Sequence, residues 1–362
     1  MIVTFGHKAT ERGLGMADFA DIIGQKQMID HLQNALRTGK ASHAYIITGE
    51  KESGKEFIAR IFAKTLQCTD RHEDYGLIEP CHKCHSCIQA ESGSNPDIIT
   101  VTHEKPNTIS VDEIRAICDD VVIKPYAGPY KIYIFPDGEK MNIQAQNALL
   151  KTLEEPPSYV VMLILTDNLD VFLPTILSRC VVLPMKPAPD EDIKHFLMKE
   201  YHTPDYKADL CVSFTRGNVG KAILLSQNED FERMRKQTFS LLQKINRKEL
   251  HEILDMVKEI ETPQDESGNA ENTDKKEVIS DFLDMLLFFF RDVLVYKATE
   301  SDGGLIFAGD LSYIRDTAEK CTFEGLNSIV ELISKTRRRI QVNVNPDIAV
   351  EMLMIGIKDN MK

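Results

Sequence analysis

Ala44-Tyr45-Ile46-Ile47-Thr48-Gly49-Glu50-Lys51-Glu52-Ser53-Gly54-Lys55-Glu56 is the stretch on which the fold turns. Its first five residues form an apolar, β-rich run. The next seven match G-x-x-x-x-G-K, and residues 53–66 read as a helix. A strand, a glycine-bounded loop and a helix, in that order, are the context a phosphate-binding loop requires. The glycines let backbone N–H groups wrap an anion. The helix N-terminus favours negative charge, and Lys55 adds a positive one. Gly49, Ser53, Gly54, Lys55 and Glu56 are therefore the candidate nucleotide-binding residues.

Two departures damage the site. The position after Lys55 normally carries Ser or Thr, whose hydroxyl holds Mg²⁺. Here it is Glu56, a carboxylate that repels phosphate unless its side chain turns away. A second metal-holding element, an acidic pair, normally ends a later strand. The run 132–135 leads instead into Pro136-Asp137-Gly138-Glu139. By register Pro136 takes the place of the metal-holding Asp, and Asp137 that of the water-activating acid. The defects agree, and the expected site is degenerate. A loop that only packs is the first reading. Binding of ATP or ADP without turnover, and real ATPase activity, are the alternatives.

Outward from the loop, short apolar runs at 44–48, 98–101, 132–135, 160–165 and 180–183 alternate with helical stretches at 53–66, 111–122 and 142–153. This alternation predicts a parallel sheet covered on both faces, a doubly wound α/β nucleotide-binding core. Glu154-Glu155-Pro156-Pro157 reads as a helix end and turn rather than as catalytic carboxylates. Pro184, Pro187 and Pro189 mark a boundary, and the pattern beyond them is helical. The predicted organisation is an extension at 1–15, either non-native with translation starting at Met16 or an ordinary flexible N-terminal extension, and an α/β domain at 16–185. A small helical domain at 186–245 and a helical C-terminal domain at 246–362 follow. The polar, acidic stretch 262–276 within the last reads as a flexible loop. Arg337-Arg338-Arg339 reads as a solvated face or an intersubunit contact.

Cys68 and the C-x-x-C-x-x-C run Cys81, Cys84 and Cys87 form a second constellation. A C-x-x-C turn places two sulfurs on one metal, and two turns sharing Cys84 supply three ligands. Cys68, at the end of the preceding helix, supplies the fourth. A tetrahedral zinc ion wants this set, and four protein ligands leave no open position, so the module at 68–87 is expected to be structural. An iron–sulfur cluster and free or redox cysteines are the rivals. His82 and His85 are nearby alternative ligands.

Composition narrows the class. The chain has 362 residues, with 43 Lys+Arg against 56 Asp+Glu, a formal net charge of −13. A protein that coats DNA by neutralising phosphates would be basic. No stretch reaches the roughly 18 apolar residues a membrane helix needs, and the dense run at 282–290 contains Asp284. The remaining cysteines, Cys118, Cys180, Cys211 and Cys321, are scattered singly. This is metal-site arithmetic rather than a disulfide framework, and it predicts a reducing cytoplasm.

His43-Ala44-Tyr45, the Gly49–Lys55 loop, the four cysteines, Asn147-Ala148-Leu149-Leu150-Lys151-Thr152-Leu153-Glu154-Glu155-Pro156-Pro157 and Pro174-Thr175-Ile176-Leu177-Ser178-Arg179-Cys180 occur in that order. Together they resemble the bacterial clamp-loader AAA+ proteins, the gamma/tau and delta-prime subunits of the DNA polymerase III holoenzyme. The resemblance covers about Phe19 onward. It implies an AAA+ P-loop domain with an inserted zinc module, an all-α lid and an all-α C-terminal collar domain. The partners it implies are the gamma/tau and delta subunits and, through the complex, the sliding clamp and primed DNA. It also implies that Arg179 acts in trans, as an arginine finger toward ATP on a neighbouring gamma/tau subunit; a cap or pair within its own fold is the alternative. Thr166 and Asn168 fall where such proteins carry a polar sensor. The damage at Glu56 and Pro136 and the poor lid match at Gly217–Lys221 depart from the gamma/tau pattern and favour the delta-prime branch. Arg291-Asp292 and Asn343-Val344-Asn345-Pro346 fit that branch too. It implies little or no ATPase activity and no polymerase activity. An active gamma/tau-type ATPase is the alternative.

Overall fold

A computed structural model of the chain describes residues 17–105, 108–261, 275–342 and 344–361. The predicted extension 1–15, the start at Met16 and Asn343 lie outside these. So does most of the loop predicted at 262–276, but its last two residues, Lys275 and Lys276, already belong to a helix. The chain forms two compact units. One runs to Thr203 and includes Thr215–Ile223, and the other comprises Pro204–Phe214 and the chain from Leu224 onward.

In chain order the first unit contains α1 (Lys26–Thr38), β1 (Ala44–Thr48), α2 (Lys55–Gln67), β2 (His72–Asp74), β3 (Leu77–Glu79) and α3 (His85–Glu91). Then come β4 (Ile98–Thr100), α4 (Val111–Val121), β5 (Lys131–Phe135), α5 (Ile143–Glu154), β6 (Val160–Thr166), α6 (Pro174–Leu177), β7 (Val181–Pro184) and α7 (Asp190–Glu200). Five strands pair in the order β4-β5-β6-β1-β7, all parallel. Every residue of β5 and β6 is buried. Strands covered on both faces are apolar apart from their ends, here Lys131 and Thr166, which is why these runs do not alternate. Side chains still divide by face with period two. Tyr45, Ile47, Val161, Leu163 and Leu165 pack with α1 and α2, through Leu32 and Phe62. Ala44, Ile46, Val160, Met162 and Ile164 pack with α4 and α5, through Ile114 and Leu149. The five predicted strands are all present, with ends shifted by at most a residue or two. The small antiparallel hairpin β2–β3 was not foreseen.

Helix α5 starts on Asn142, whose side chain accepts the Ala145 N–H at 2.8 Å. It stops where Pro156 and Pro157 remove backbone donors. Within it, buried Gln146 holds the chain segment that leads into α6. Its Nε2 donates to the Met141 carbonyl at 3.1 Å and the Val171 carbonyl at 2.9 Å, and its Oε1 accepts from Leu173 N at 2.8 Å. Gln146→Ala would strand these groups away from water. Urea unfolding is expected to register a loss of about 2–4 kcal/mol, whereas an exposed change such as Gln144→Ala should cost under about 0.5 kcal/mol.

The second unit is helical. It holds α8 (Asp205–Thr215) up to Phe214 and the end of α9 (Val219–Gln227), then α10 (Glu229–Lys244), α11 (Leu250–Glu261), α12 (Lys275–Thr299), α13 (Leu311–Lys320), α14 (Phe323–Gln341) and α15 (Pro346–Asn360). Phe282, Phe289 and Phe290 of the apolar run are fully buried in α12. Phe289 and Phe307 each meet Phe239 edge to face, at 5.2 and 5.0 Å. Asp284 interrupts that run to receive Arg337 of α14 at 2.6 Å. Arg337 therefore has a partner within its own fold, which neither reading of the basic run anticipated. Among the described residues no helix is long and apolar enough to cross a membrane.

Candidate nucleotide loop and metal centre

The phosphate-type loop leaves the C-terminal end of β1 and enters α2, whose N-cap is Gly54 at φ +93°. Only glycine adopts that backbone angle without strain. The loop's polar groups have partners inside the protein. Lys55 Nζ donates to the carbonyls of Gly49 and Glu50, both at 2.7 Å. Burial lowers the Lys55 pKa, against the opposing pull of Asp167, Glu139, Asp137 and Glu50. Ser53 Oγ donates to Met185 Sδ at 3.3 Å, and a Cβ added at Gly49 would come within 2.9 Å of Met185 Cβ. Asn218 Nδ2 donates to the Lys51 carbonyl at 3.0 Å. From the Gly217–Lys221 stretch, where the sequence shows only a poor lid match, it is Asn218 that reaches the loop.

Glu56 does turn away. Its Oε1 pairs with Arg60 Nε at 2.8 Å and Nη2 at 2.6 Å, one helical turn along. Asp137, at the water-activating position, accepts from His103 Nε2 at 3.0 Å and Lys140 Nζ at 3.2 Å. Burial pushes its carboxyl up, but the hydrogen bonds and charges of His103 and Lys140 together outweigh burial and hold it below the usual carboxylate range. A carboxylate so engaged is a poor proton acceptor. Thr166 Oγ1 is turned onto the backbone of Asn168, donating to its carbonyl at 3.0 Å and accepting its N–H at 3.1 Å.

Arg179 follows α6 and is about one-third exposed. Its Nη2 meets Glu154 Oε1 at 2.7 Å, and its Nη1 donates to the Thr175 carbonyl at 2.9 Å and to Ser178 Oγ at 3.3 Å.

The four cysteines come together. Cys68 caps the end of α2, Cys81 follows β3, Cys84 is the N-cap of α3 and Cys87 lies within it. Their sulfurs all lie within 4.8 Å of one another. About 3.8 Å separates the sulfurs of an ideal tetrahedral site with 2.3 Å bonds, and Cys68 and Cys84 already stand at 4.0 Å. Backbone N–H groups of Cys81, Cys84 and Cys87 point at the sulfurs of Cys68, Cys81 and Cys84 at 3.3–3.4 Å. Burial raises the pKa of Cys68 and Cys87. Four thiolates cannot share this space uncompensated, and a divalent cation removes that cost. The cluster could therefore hold one metal ion.

His82 takes no part in the cluster. Its ring nitrogens are held by Asp18 at 2.5 Å and Glu91 at 2.7 Å. The same module grips the start of the described chain, where Glu79 accepts the N–H groups of Phe19 and Ala20 at 2.9 and 3.0 Å. His103, Asn218, Met185 and Glu154 are the site residues that sequence reasoning missed or read otherwise. None stands in a recognisable motif for the contact it makes.

A parallel α/β sheet with a glycine loop between its strand and helix, interrupted by a four-cysteine module, defines a P-loop-type nucleotide-binding domain. Residues 24–189 match the family described as DNA polymerase III, delta subunit, and residues 243–359 match its C-terminal counterpart. The chain belongs to the clamp-loader subunits of DNA polymerase III. It is 28% identical over 337 residues to DNA polymerase III subunit delta' of Bacillus subtilis, covering 92% of this chain and 96% of that protein. It is also 28% identical over 361 residues to subunit tau of Bacillus subtilis, covering 94% of this chain and 61% of that longer protein. Against subunit tau of Escherichia coli it is 36% identical over 179 residues, 49% of this chain and 27% of that protein.

Proposed function

We propose that this chain is the delta-prime subunit of a bacterial clamp loader, working with gamma/tau and delta subunits to load the sliding clamp on primed DNA. The observation that carries this reading is the internally satisfied loop. Lys55 is committed to Gly49 and Glu50, Asp137 to His103 and Lys140, and Glu56 to Arg60. A subunit built this way does not turn ATP over and contributes by geometry. Arg179 is its contribution to a neighbour's ATP site. Zinc is the ion for Cys68, Cys81, Cys84 and Cys87, since four closed thiolates suit a structural zinc site. The zinc would hold the module's shape and supply no catalytic step. The domain organisation proposed is the one read from the sequence, an α/β domain to 185, a lid at 186–245 and a collar from 246. A cytoplasmic location follows from the partners and the reduced cysteines.

Reconstitution tests the proposal. The purified chain should co-elute with gamma/tau and delta subunits and restore clamp loading to a mixture lacking it. Failure to associate with either would discard it. The second reading, an ATP-turning gamma/tau-type subunit, draws on the higher identity to Escherichia coli tau and on retained Lys55. It predicts tight ATP binding by the isolated chain, abolished in Lys55→Ala. The delta-prime reading predicts no saturable binding at about 1 mM ATP, the top of the usual range of substrate affinities, by calorimetric titration.

A further inference from the structure

Glu154 is the last residue of α5, the place where a helix least favours a carboxylate. Arg179 relieves that disadvantage with its guanidinium at 2.7 Å. Both partners are mounted on segments that Gln146 staples together, α5 and the chain entering α6. The pair is nonetheless open to solvent, with side chains 34% and 50% exposed for Arg179 and Glu154. Exposed pairs of this kind are weak, worth at most about 1 kcal/mol. The Thr175 carbonyl and Ser178 Oγ engage the other terminal nitrogen. The nitrogen bonded to Glu154 is thus the one most readily handed to a new acceptor.

We infer that Glu154 positions Arg179 and competes with the neighbouring subunit's nucleotide phosphate for its Nη2, an inference that rests on the trans role proposed for Arg179. In the isolated chain the carboxylate keeps the arginine extended and partly neutralised. At an assembled interface a phosphate of higher charge displaces it. Glu154 therefore sets a threshold against hydrolysis before the interface closes around DNA. Glu154→Gln keeps the shape and a hydrogen-bond acceptor but removes the competing charge.

The test uses the assembled clamp-loader complex. With Glu154→Gln, ATP hydrolysis without primed DNA should rise about two- to fivefold, the scale of one exposed pair. The double variant with Arg179→Ala should be as slow as Arg179→Ala alone, which a merely structural role for Glu154 would not produce. An unchanged melting temperature shows that the fold is intact, and Glu154→Ala should give the same direction. A Glu154→Gln complex no faster than wild type, beside a slow Arg179→Ala complex, overturns the role of Glu154 and leaves that of Arg179 standing. An Arg179→Ala complex that hydrolyses ATP at the wild-type rate overturns both.

Discussion

Replacing Arg179 with Ala is expected to leave assembly of the complex intact while turnover at the neighbouring ATP site falls by about 10³-fold or more, the usual worth of an arginine finger. The side chain is one-third exposed and its partners lie at the surface, so its removal leaves no buried group stranded. Stability should change by less than about 1 kcal/mol. Arg179→Lys should not rescue. A lysine ammonium can replace the charge but not the planar fork that keeps Thr175 and Ser178 on one side while offering Nη2 on the other. The measurements are DNA-stimulated ATPase and clamp loading by the reconstituted complex, with size-exclusion chromatography as the check on assembly. Wild-type loading by the Arg179→Ala complex would remove the central functional claim.

Metal removal is expected to have the second large effect. The sulfurs are drawn from the end of α2, the strand-end loop and α3, so an ion held there would cross-link three pieces of backbone. The hairpin β2–β3 has only three residues per strand, too little to persist by itself. Stripping the metal should melt hairpin and α3 while the five-stranded sheet, with its own two apolar faces, survives. Structural zinc in small domains contributes about 10–16 kcal/mol to folding. Here part of the module is braced by α2, so about 5 kcal/mol is expected, a drop in melting temperature of about 10–20 °C for a unit of this size. Cys87→Ala should mimic it. The thiolates must be deprotonated to bind, so affinity should weaken as pH falls. Metal analysis of the purified, reduced protein should give one zinc per chain, and a value well below that withdraws the assignment.

The parts of this structure legible in the sequence are those whose cause is local. The strand–loop–helix at 44–67 announces itself because each piece follows from its neighbours. The cysteines do so because ligand spacing is a short-range constraint. Strands β5 and β6 are legible as unbroken apolar runs because both faces are covered. Hairpin β2–β3 was missed for the opposite reason. His72, Glu73 and Asp74 are all exposed and carry no alternation to read. Its two-residue turn, Tyr75 at φ +44° and Gly76 at φ +81°, was the available signal. The partners that fill the nucleotide loop were invisible because they come from afar. Met185 lies 132 residues from Ser53, Asn218 lies 167 from Lys51, and His103 lies 34 from Asp137. Glu154 was read as a helix end, which it is. That it also holds Arg179 depends on how α5 and α6 are brought together.

The hydrogen bonds from Phe19 and Ala20 to Glu79 span about sixty residues of chain, and this has a consequence for biosynthesis. Segment 17–21 leaves the ribosome early, but its anchor follows about sixty residues later. At about 5–20 residues per second that is a wait of roughly 3–12 s. His82, the other anchor, lies beside Cys81, so docking of the segment would coincide with metal capture by the cluster. The segment thus stays unsecured until the module that follows it has been made. Nascent chains stalled before residue 79 should be clipped by protease near Phe19, and chains released with metal bound should resist.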